Sequence, residues 1–164
     1  MASTFTVCYS PSEEMSLTNH VYVNPDNYDT EFMEIGEFPY NVSACPSVPK
    51  NFIALNAIQR RAVNRRTGDQ VEGIYMERDF LSADTLVFAL ETLKPVHRTL
   101  RINNASLQAL FEDDYEDCVF TNGQKHFFIY GDVTIIAMCM TEGSHIVTDD
   151  TVFQFTSNND IDLV

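Results

Sequence analysis

The sequence has no Trp, only ten Lys and Arg among 164 residues, and no apolar run longer than the six residues from Ile135 to Met140. Six apolar residues cannot cross a bilayer, so no membrane-spanning helix is expected. The 24 Asp and Glu leave a net charge of −14, which repels nucleic acids and anionic membranes. These shortages exclude general nucleic-acid binding and direct membrane insertion.

Cysteine is sparse and shows no pairing pattern. No Cys-x-x-Cys occurs, and the first 15 residues have neither the cationic start nor the apolar stretch of a signal peptide. We therefore expect a cytoplasmic protein with free thiols. The four cysteines are Cys8, Cys45, Cys118 and Cys139.

The sequence also lacks the lysine of a phosphate-binding loop. Gly68 to Gly73 has the glycine spacing, but Ile74 and Tyr75 stand where Lys and Ser or Thr would hold phosphates and Mg²⁺. ATP hydrolysis by that route is therefore excluded for this chain. We expect it to carry no cofactor of its own.

The spacing of His and Cys in the sequence indicates neither a metal site nor a nucleophilic active site. The four His form no His-x-x-x-His and have no zinc spacing with Cys. Cys118 with His126, or Cys139 with His145, offers a nucleophile and a base. The favoured alternative is a small buried thiol beside a surface imidazole. The sequence thus predicts neither catalytic residues nor metal ligands.

An acidic stretch, residues 112–117, holds five carboxylates in six positions. It lacks the alternating oxygen ligands and the central Gly of a calcium loop. A solvated helix end and loop is the favoured interpretation, with Ca²⁺ binding as the alternative.

The composition is that of a folded chain, with 45% apolar residues, twelve Phe and seven Tyr. The first half predicts one short helix, Ala57 to about Arg65, capped by Asn56 and ended by the turn at residues 67–69. Short strands separated by turns surround it and indicate a small barrel. The predicted strands are Ser16–Val23, followed by a turn at Asn24–Asn27, then Phe38–Ala44, Phe52–Leu55 and Val71–Met76.

The second half mixes helix and strand. The strongest local pattern is a hairpin within Lys125–Met140 around Gly131-Asp132. A helix over Ala105–Tyr115, capped by Asn104, precedes it. Two further strands are predicted at Thr85–Leu93 and Val152–Phe155. The chain is thus predicted to have an all-β first half and a mixed α+β second half.

An arginine cluster stands out on this acidic chain. Arg60, Arg61, Arg65 and Arg66 lie within seven positions, and the spacing of four predicts that Arg61 and Arg65 share a helix face. One interpretation is a docking site for an acidic protein, since guanidinium binds carboxylates in a bidentate way. The alternative is a solvated face whose arginines pair with carboxylates of the same chain.

Several blocks of the sequence stand in a recognisable order and spacing. They are residues 14–19 with 23–24, residues 45–49, residues 59–61, residues 67–71, residues 120–124 with 131–132, and residues 143–163. Together these blocks cover most of the chain, and they resemble the amino-terminal domain of the N-ethylmaleimide-sensitive factor family, the vesicle-fusing AAA ATPases. In that resemblance the first block corresponds to the opening strand.

The resemblance implies an α+β, mainly β fold: a double-psi β-barrel followed by a smaller α/β roll. We place the barrel at residues 1–76, a linker at 77–83 and the roll at 84–164. The implied role is non-catalytic: the domain binds the soluble attachment protein (SNAP) that carries SNARE complexes to be disassembled. ATP and Mg²⁺ belong to ATPase domains absent from this chain. We expect the isolated domain to be a monomer and its parent ATPase to be a hexamer. We also expect the domain to be peripheral at membranes, which it reaches through its partners.

The resemblance also implies the contact residues. Arg60 and Arg61 match a basic stretch at the barrel helix, and Lys94 falls near a basic pair of the second lobe. Tyr9 and Ser10 stand where the family often has a basic residue before the opening strand, while Arg65 and Arg66 are additional. The predicted partner-binding residues are Arg60, Arg61, Arg65, Arg66 and Lys94.

A neighbouring family offers the alternative function. The turn at residues 64–69 and the strand beginning at Asp150 resemble the amino-terminal domain of the valosin-containing protein family. There the inter-lobe cleft binds ubiquitin-like folds or short adaptor peptides.

Overall fold

The computed structural model describes residues 2–164. It contains two compact units: the first ends at Asp79 and the second begins at Phe80. The boundary falls inside the range 77–83 that the sequence assigns to a linker, and Leu81–Ser82 of that range form a short strand.

Six strands of the first unit form a closed barrel in the order β1-β5-β2-β4-β3-β6, with β6 closing against β1. The pairs β1–β5 and β2–β4 are parallel and the other four antiparallel. This is the predicted double-psi barrel. The strands are β1 (Ala2–Cys8), β2 (Val21–Val23), β3 (Phe32–Ile35), β4 (Phe38–Ala44), β5 (Phe52–Ala54) and β6 (Gln70–Met76).

Two short α-helices and a 3₁₀ turn connect these strands. Helix α1 (Glu13–Ser16) is capped by Ser12, and the turn Pro25–Asn27 by Asn24. The predicted strand Ser16–Val23, matched to the family's opening strand, is therefore wrong in its first part. The Ser12 side chain accepts the Met15 N–H at 3.1 Å, which favours a helical turn there. The opening strand is β1 instead.

Helix α2 (Ala57–Val63) begins where the sequence predicts but ends two residues earlier. Asn56 and Gln59 form a reciprocal capping box at its start. Asn64 adopts the left-handed conformation at φ 54° and ends the helix, because asparagine tolerates that region better than most residues do.

The barrel interior is mainly aliphatic. Phe5 and Val7 of β1 point inward against Val21, Ile53 and other buried side chains. Gly73 of β6 leaves room for Met33, since a Cβ at Gly73 would lie 2.3 Å from the Met33 sulfur. The barrel therefore closes around tightly fitted aliphatic groups.

The second unit combines one helix with three small sheets, as an α/β roll does. Their orders are β11-β12-β8-β14, β10-β13-β7 and β15-β9. The elements are β7 (Leu81–Ser82), β8 (Thr85–Thr92), β9 (Leu100–Ile102), α3 (Asn104–Asp114), β10 (Val119–Thr121), β11 (Lys125–Tyr130), β12 (Val133–Cys139), β13 (Ser144–Ile146), β14 (Val152–Ser157) and β15 (Ile161–Leu163).

The predicted hairpin is confirmed as β11 and β12. Gly131 at the turn has φ 64°, a conformation that glycine adopts without steric cost. The helix cap is one residue earlier than predicted, since Asn103 rather than Asn104 accepts the N–H of Ser106 at 2.9 Å. Helix α3 buries Leu107 and Phe111 in an aromatic core.

Candidate functional site

Four arginines and an exposed tyrosine line one open cleft of about 550 Å³ in the barrel unit. We call it the arginine cleft. Its lining residues are Tyr9, Ala57, Arg60, Arg61, Asn64, Arg65, Arg66, Thr67 and Asp69.

A helix end and the turn after it bring the arginines together. Arg60 and Arg61 occupy the last turn of α2, and the left-handed Asn64 reverses the chain. The Arg65 N–H then donates to the Arg60 carbonyl at 3.0 Å. The prediction that Arg61 and Arg65 share a helix face is wrong, because Arg65 lies beyond the helix. They share the cleft because the chain turns back.

The turn is stabilised by further hydrogen bonds. Arg65 donates from Nε to the Gln70 carbonyl at 3.1 Å and from Nη1 to the Asn64 carbonyl at 3.0 Å. The Arg66 backbone N–H donates to Asp69 Oδ2 at 2.8 Å. The cleft is therefore partly preformed, which lowers the entropy lost on binding.

Arg60 is the most constrained of the four. It is half-buried, donates from Nη1 to the Leu55 carbonyl, and places its guanidinium carbon 4.9 Å from the Tyr9 ring centroid. This is cation–π geometry. From the sequence alone, Tyr9 is notable only because it stands where the family often has a basic residue. Its contact joins segments about 50 positions apart, so no local pattern reveals it.

None of the four guanidinium groups forms an ion pair within residues 2–164. The ion pairs Lys50–Asp26, Arg101–Asp162 and Lys125–Glu91 lie outside the cleft. Asp69 is the one carboxylate lining the cleft, and it accepts a backbone N–H. Pairing with the chain's own carboxylates, the alternative considered above, is not what the structure shows. The cleft carries a surplus of positive charge on an acidic protein.

Lys94 does not line this cleft. It belongs to the second unit and is exposed two residues after β8 ends at Thr92. The structure thus brings together four of the five predicted contact residues.

The candidate nucleophile–base pairs are not assembled. His126 is 1% exposed, and neither of its ring nitrogens has a hydrogen-bond partner among the described residues. Burial lowers the pKa of His126 to about 3 and raises the pKa of Cys118 to about 12. The sequence favours a buried thiol beside a surface imidazole. Cys118 is buried as expected, but the imidazole of His126 is buried as well and does not lie at the surface.

The second candidate pair, Cys139 with His145, is not hydrogen-bonded either. His145 Nε2 lies 2.9 Å from the Glu142 carbonyl, and Nδ1 has no partner among the described residues. Burial raises the pKa of the Cys139 thiol above its ordinary value. No hydrogen bond therefore links this thiol to an imidazole that would deprotonate it.

The acidic stretch 112–117 is the end of α3 and the following loop. Its carboxylate residues are exposed, while Tyr115 is buried. The pKa of Glu116 is raised, chiefly by a hydrogen bond with Asp149 and by that carboxyl's charge. No group of three or more His, Cys, Asp or Glu in residues 2–164 is placed to hold a metal ion. The same described part contains no helix long and apolar enough to cross a membrane.

Comparison with known proteins adds one relationship. No protein-family model matches the chain. A vesicle-fusing ATPase from Arabidopsis thaliana is 31% identical over 138 residues, an alignment that covers 77% of this chain. This chain resembles a vesicle-fusing ATPase. The predicted relationship to the amino-terminal domain of these ATPases is thereby confirmed, in agreement with the closed barrel.

The same alignment covers only 18% of the vesicle-fusing ATPase. The shared part is thus small, as expected for one domain of a longer protein.

Proposed function

We propose that this chain is a non-catalytic adaptor-binding domain of a vesicle-fusing AAA ATPase. It docks the soluble attachment protein, and through it the SNARE complex that the ATPase disassembles. The observation that carries this proposal is the arginine cleft, in which four guanidinium groups have no carboxylate partner within residues 2–164.

The charge distribution favours an acidic protein partner. Guanidinium groups present paired N–H donors that match carboxylates, and the cleft offers four of them against one Asp. The total charge of −14 repels acidic proteins at long range. Binding therefore depends on close contact with this cleft, and salt weakens it by screening the contact charges. Lys94 is proposed as a secondary contact.

The remaining parts of the proposal follow from the domain's place in such an ATPase. ATP and Mg²⁺ bind in the ATPase domains, which also form the hexamer. The domain alone is a cytoplasmic monomer that reaches membranes through its partners.

Calorimetric titration tests the proposal. The full chain is titrated with a soluble attachment protein, alone and assembled on SNAREs, at low and physiological salt. We expect salt-sensitive binding that the double variant Arg61→Glu, Arg66→Glu weakens at least tenfold. These two side chains have no hydrogen bond or ion pair within the described residues, so the reversal leaves the fold intact.

A matched control reverses the same number of charges elsewhere. Lys50 and Lys125 are each in one exposed ion pair outside the cleft, so Lys50→Glu, Lys125→Glu leaves affinity within about threefold. Equal losses for both double variants would reject the cleft as the site. No binding of either attachment-protein form, together with binding of ubiquitin, would replace this function by that of a segregase-type domain.

A further inference from the structure

We propose that Tyr9 is a phosphorylation site whose phosphate docks on the arginines of its own cleft and closes that cleft to acidic partners. The blocking step rests on the function proposed above. The docking step rests on the geometry of the cleft alone.

Tyr9 is the most exposed of the seven tyrosines. It is 67% exposed, Tyr28 is 40% exposed, and the other five are buried or half-buried. It lies immediately after β1 ends at Cys8, outside any helix or strand. A tyrosine kinase therefore meets its hydroxyl group more readily than any other on this chain.

The Tyr9 ring is already positioned against the cleft. The Arg60 guanidinium carbon is 4.9 Å from the ring centroid, and Arg60 is itself anchored to the Leu55 carbonyl. Arg61, Arg65 and Arg66 line the same cleft. A phosphate on the phenolic oxygen is therefore added to a ring that lines the same cleft as four arginines.

The phosphate group of a phosphotyrosine is chemically suited to binding by the arginines of the cleft. A tyrosine kinase transfers the γ-phosphoryl group of Mg-ATP to Tyr9 Oη. The bond to ADP breaks, a new O–P bond forms and the phenolic proton is released. The product carries a charge of about −1.5 to −2 and three acceptor oxygens. Arginine forks bind such oxygens through charge-assisted hydrogen bonds.

Docking removes most of the positive surplus in the cleft. The unmodified lining has four positive side chains and one negative, and the phosphate offsets about two of the positive charges. The phosphate is tethered to the site, so its effective concentration there exceeds that of a free acidic partner. Acidic proteins then meet a cleft that keeps only about one of its three surplus positive charges and is partly occupied by the phosphate.

The first test asks whether the phosphate docks, without any partner. Phosphotyrosine is placed at position 9 of the full chain by genetic encoding, and its second ionisation is followed by ³¹P NMR. We expect an apparent pKa lower by about half a unit or more than in the same protein carrying Arg61→Gln, Arg65→Gln and Arg66→Gln, because arginine favours the dianion. Identical titrations in both backgrounds would overturn docking.

The second test asks whether the tyrosine is accessible. The full chain is incubated with a broad-specificity tyrosine kinase and Mg-ATP, and the products are mapped by mass spectrometry. Modification of Tyr9 ahead of Tyr28 supports the site. Modification of Tyr28 with none at Tyr9 would overturn it.

The third test measures blocking. Phosphotyrosine at position 9 is expected to weaken attachment-protein binding at least tenfold, whereas phosphotyrosine at position 28, which does not line the cleft, leaves it within about twofold. Equal affinity for the two phosphoproteins would overturn blocking. If the unmodified chain binds no attachment protein, the proposed function fails, and the ³¹P titration still decides docking.

Discussion

The two units of this chain differ in how they bury polar groups. In the barrel, the amides of Asn56 and Gln59 are buried but hydrogen-bonded to each other's backbone and to neighbouring carbonyls. In the roll, His126 is buried among aromatic rings with no partner for either nitrogen in the described residues. Asn56 and Gln59 of the barrel thus cap a helix, whereas His126 of the roll is a neutral imidazole within the core.

The cores differ in composition as well. The barrel interior is built largely from Val, Ile and Leu, while that of the roll centres on Phe88 and Phe111. Phe111 lies within 5.5 Å, centroid to centroid, of six neighbouring rings. Aromatic pairs at these separations add stabilisation beyond area burial. Among the described residues, the core of the roll thus contains six buried Phe and Tyr rings, against Phe5 and Tyr40 in the core of the barrel.

Removing the central ring gives the largest expected effect. Phe111→Ala leaves a cavity among six rings and lowers the free energy of unfolding of the roll by about 3 to 5 kcal/mol. Urea titration followed by amide NMR, which resolves the two units, measures it. Barrel amides serve as the internal control. An equal loss in both units would show that they unfold together.

The aliphatic barrel is tested at its tightest contact. Gly73→Ala places a methyl group against the buried Met33 sulfur and is expected to cost about 1 to 3 kcal/mol. A double-mutant cycle with Met33→Ala, in the same urea experiment, isolates the clash. We expect Gly73→Ala to cost less in the Met33→Ala background. If the effects of Gly73→Ala and Met33→Ala on the free energy of unfolding are additive, the cost of Gly73→Ala does not come from the contact with Met33.

The buried imidazole predicts that the roll is sensitive to acid. The pKa of His126 is about 3 in the folded state and about 6.5 in the unfolded state. The unfolded chain therefore binds the extra proton between these values. The stabilisation is fully present above pH 6.5 and is lost as the pH falls toward 3. The loss at pH 5 is about 2 kcal/mol.

Urea titrations at pH 7 and pH 5 check this linkage. His126→Leu removes the titrating group, so the roll should lose about 2 kcal/mol less stability over this interval than the unsubstituted chain. His97→Leu is the control, because that histidine is not a buried member of the core. An unchanged pH dependence in His126→Leu would refute the assignment.

The smallest expected effect tests the capped helix that carries the cleft. Asn56→Ala removes the acceptor of the Gln59 N–H and the donor to the Ser16 carbonyl, which costs about 1 kcal/mol of barrel stability. Thermal unfolding by circular dichroism measures it. Asn56→Asp keeps the capping oxygen and should recover part of the loss. A loss as large in Asn56→Asp as in Asn56→Ala would show that the cap itself contributes little.

The elements predicted correctly are those whose causes are local. Asn56 with Gln59 signals a helix start, and Gly131 between two β-rich runs signals a hairpin. The sequence does not predict strand β1, because only Phe5 and Val7 of this strand are fully buried and two residues are too few for a clear period-two pattern. It does not predict helix α1 either, because a single turn has no helical periodicity.

The charge balance, the lack of a phosphate-binding loop and the four-arginine cluster are properties of the sequence alone, because each depends only on which residues occur and in what order. Only the tertiary structure decided that Asn64 turns Arg65 and Arg66 back beside Arg60. It also placed Tyr9, from a strand end about 50 positions earlier, against the same guanidinium group. The pairing of β1 with β5, which places Cys8 beside Ala54, joins these distant segments, and no local pattern in the sequence connects them.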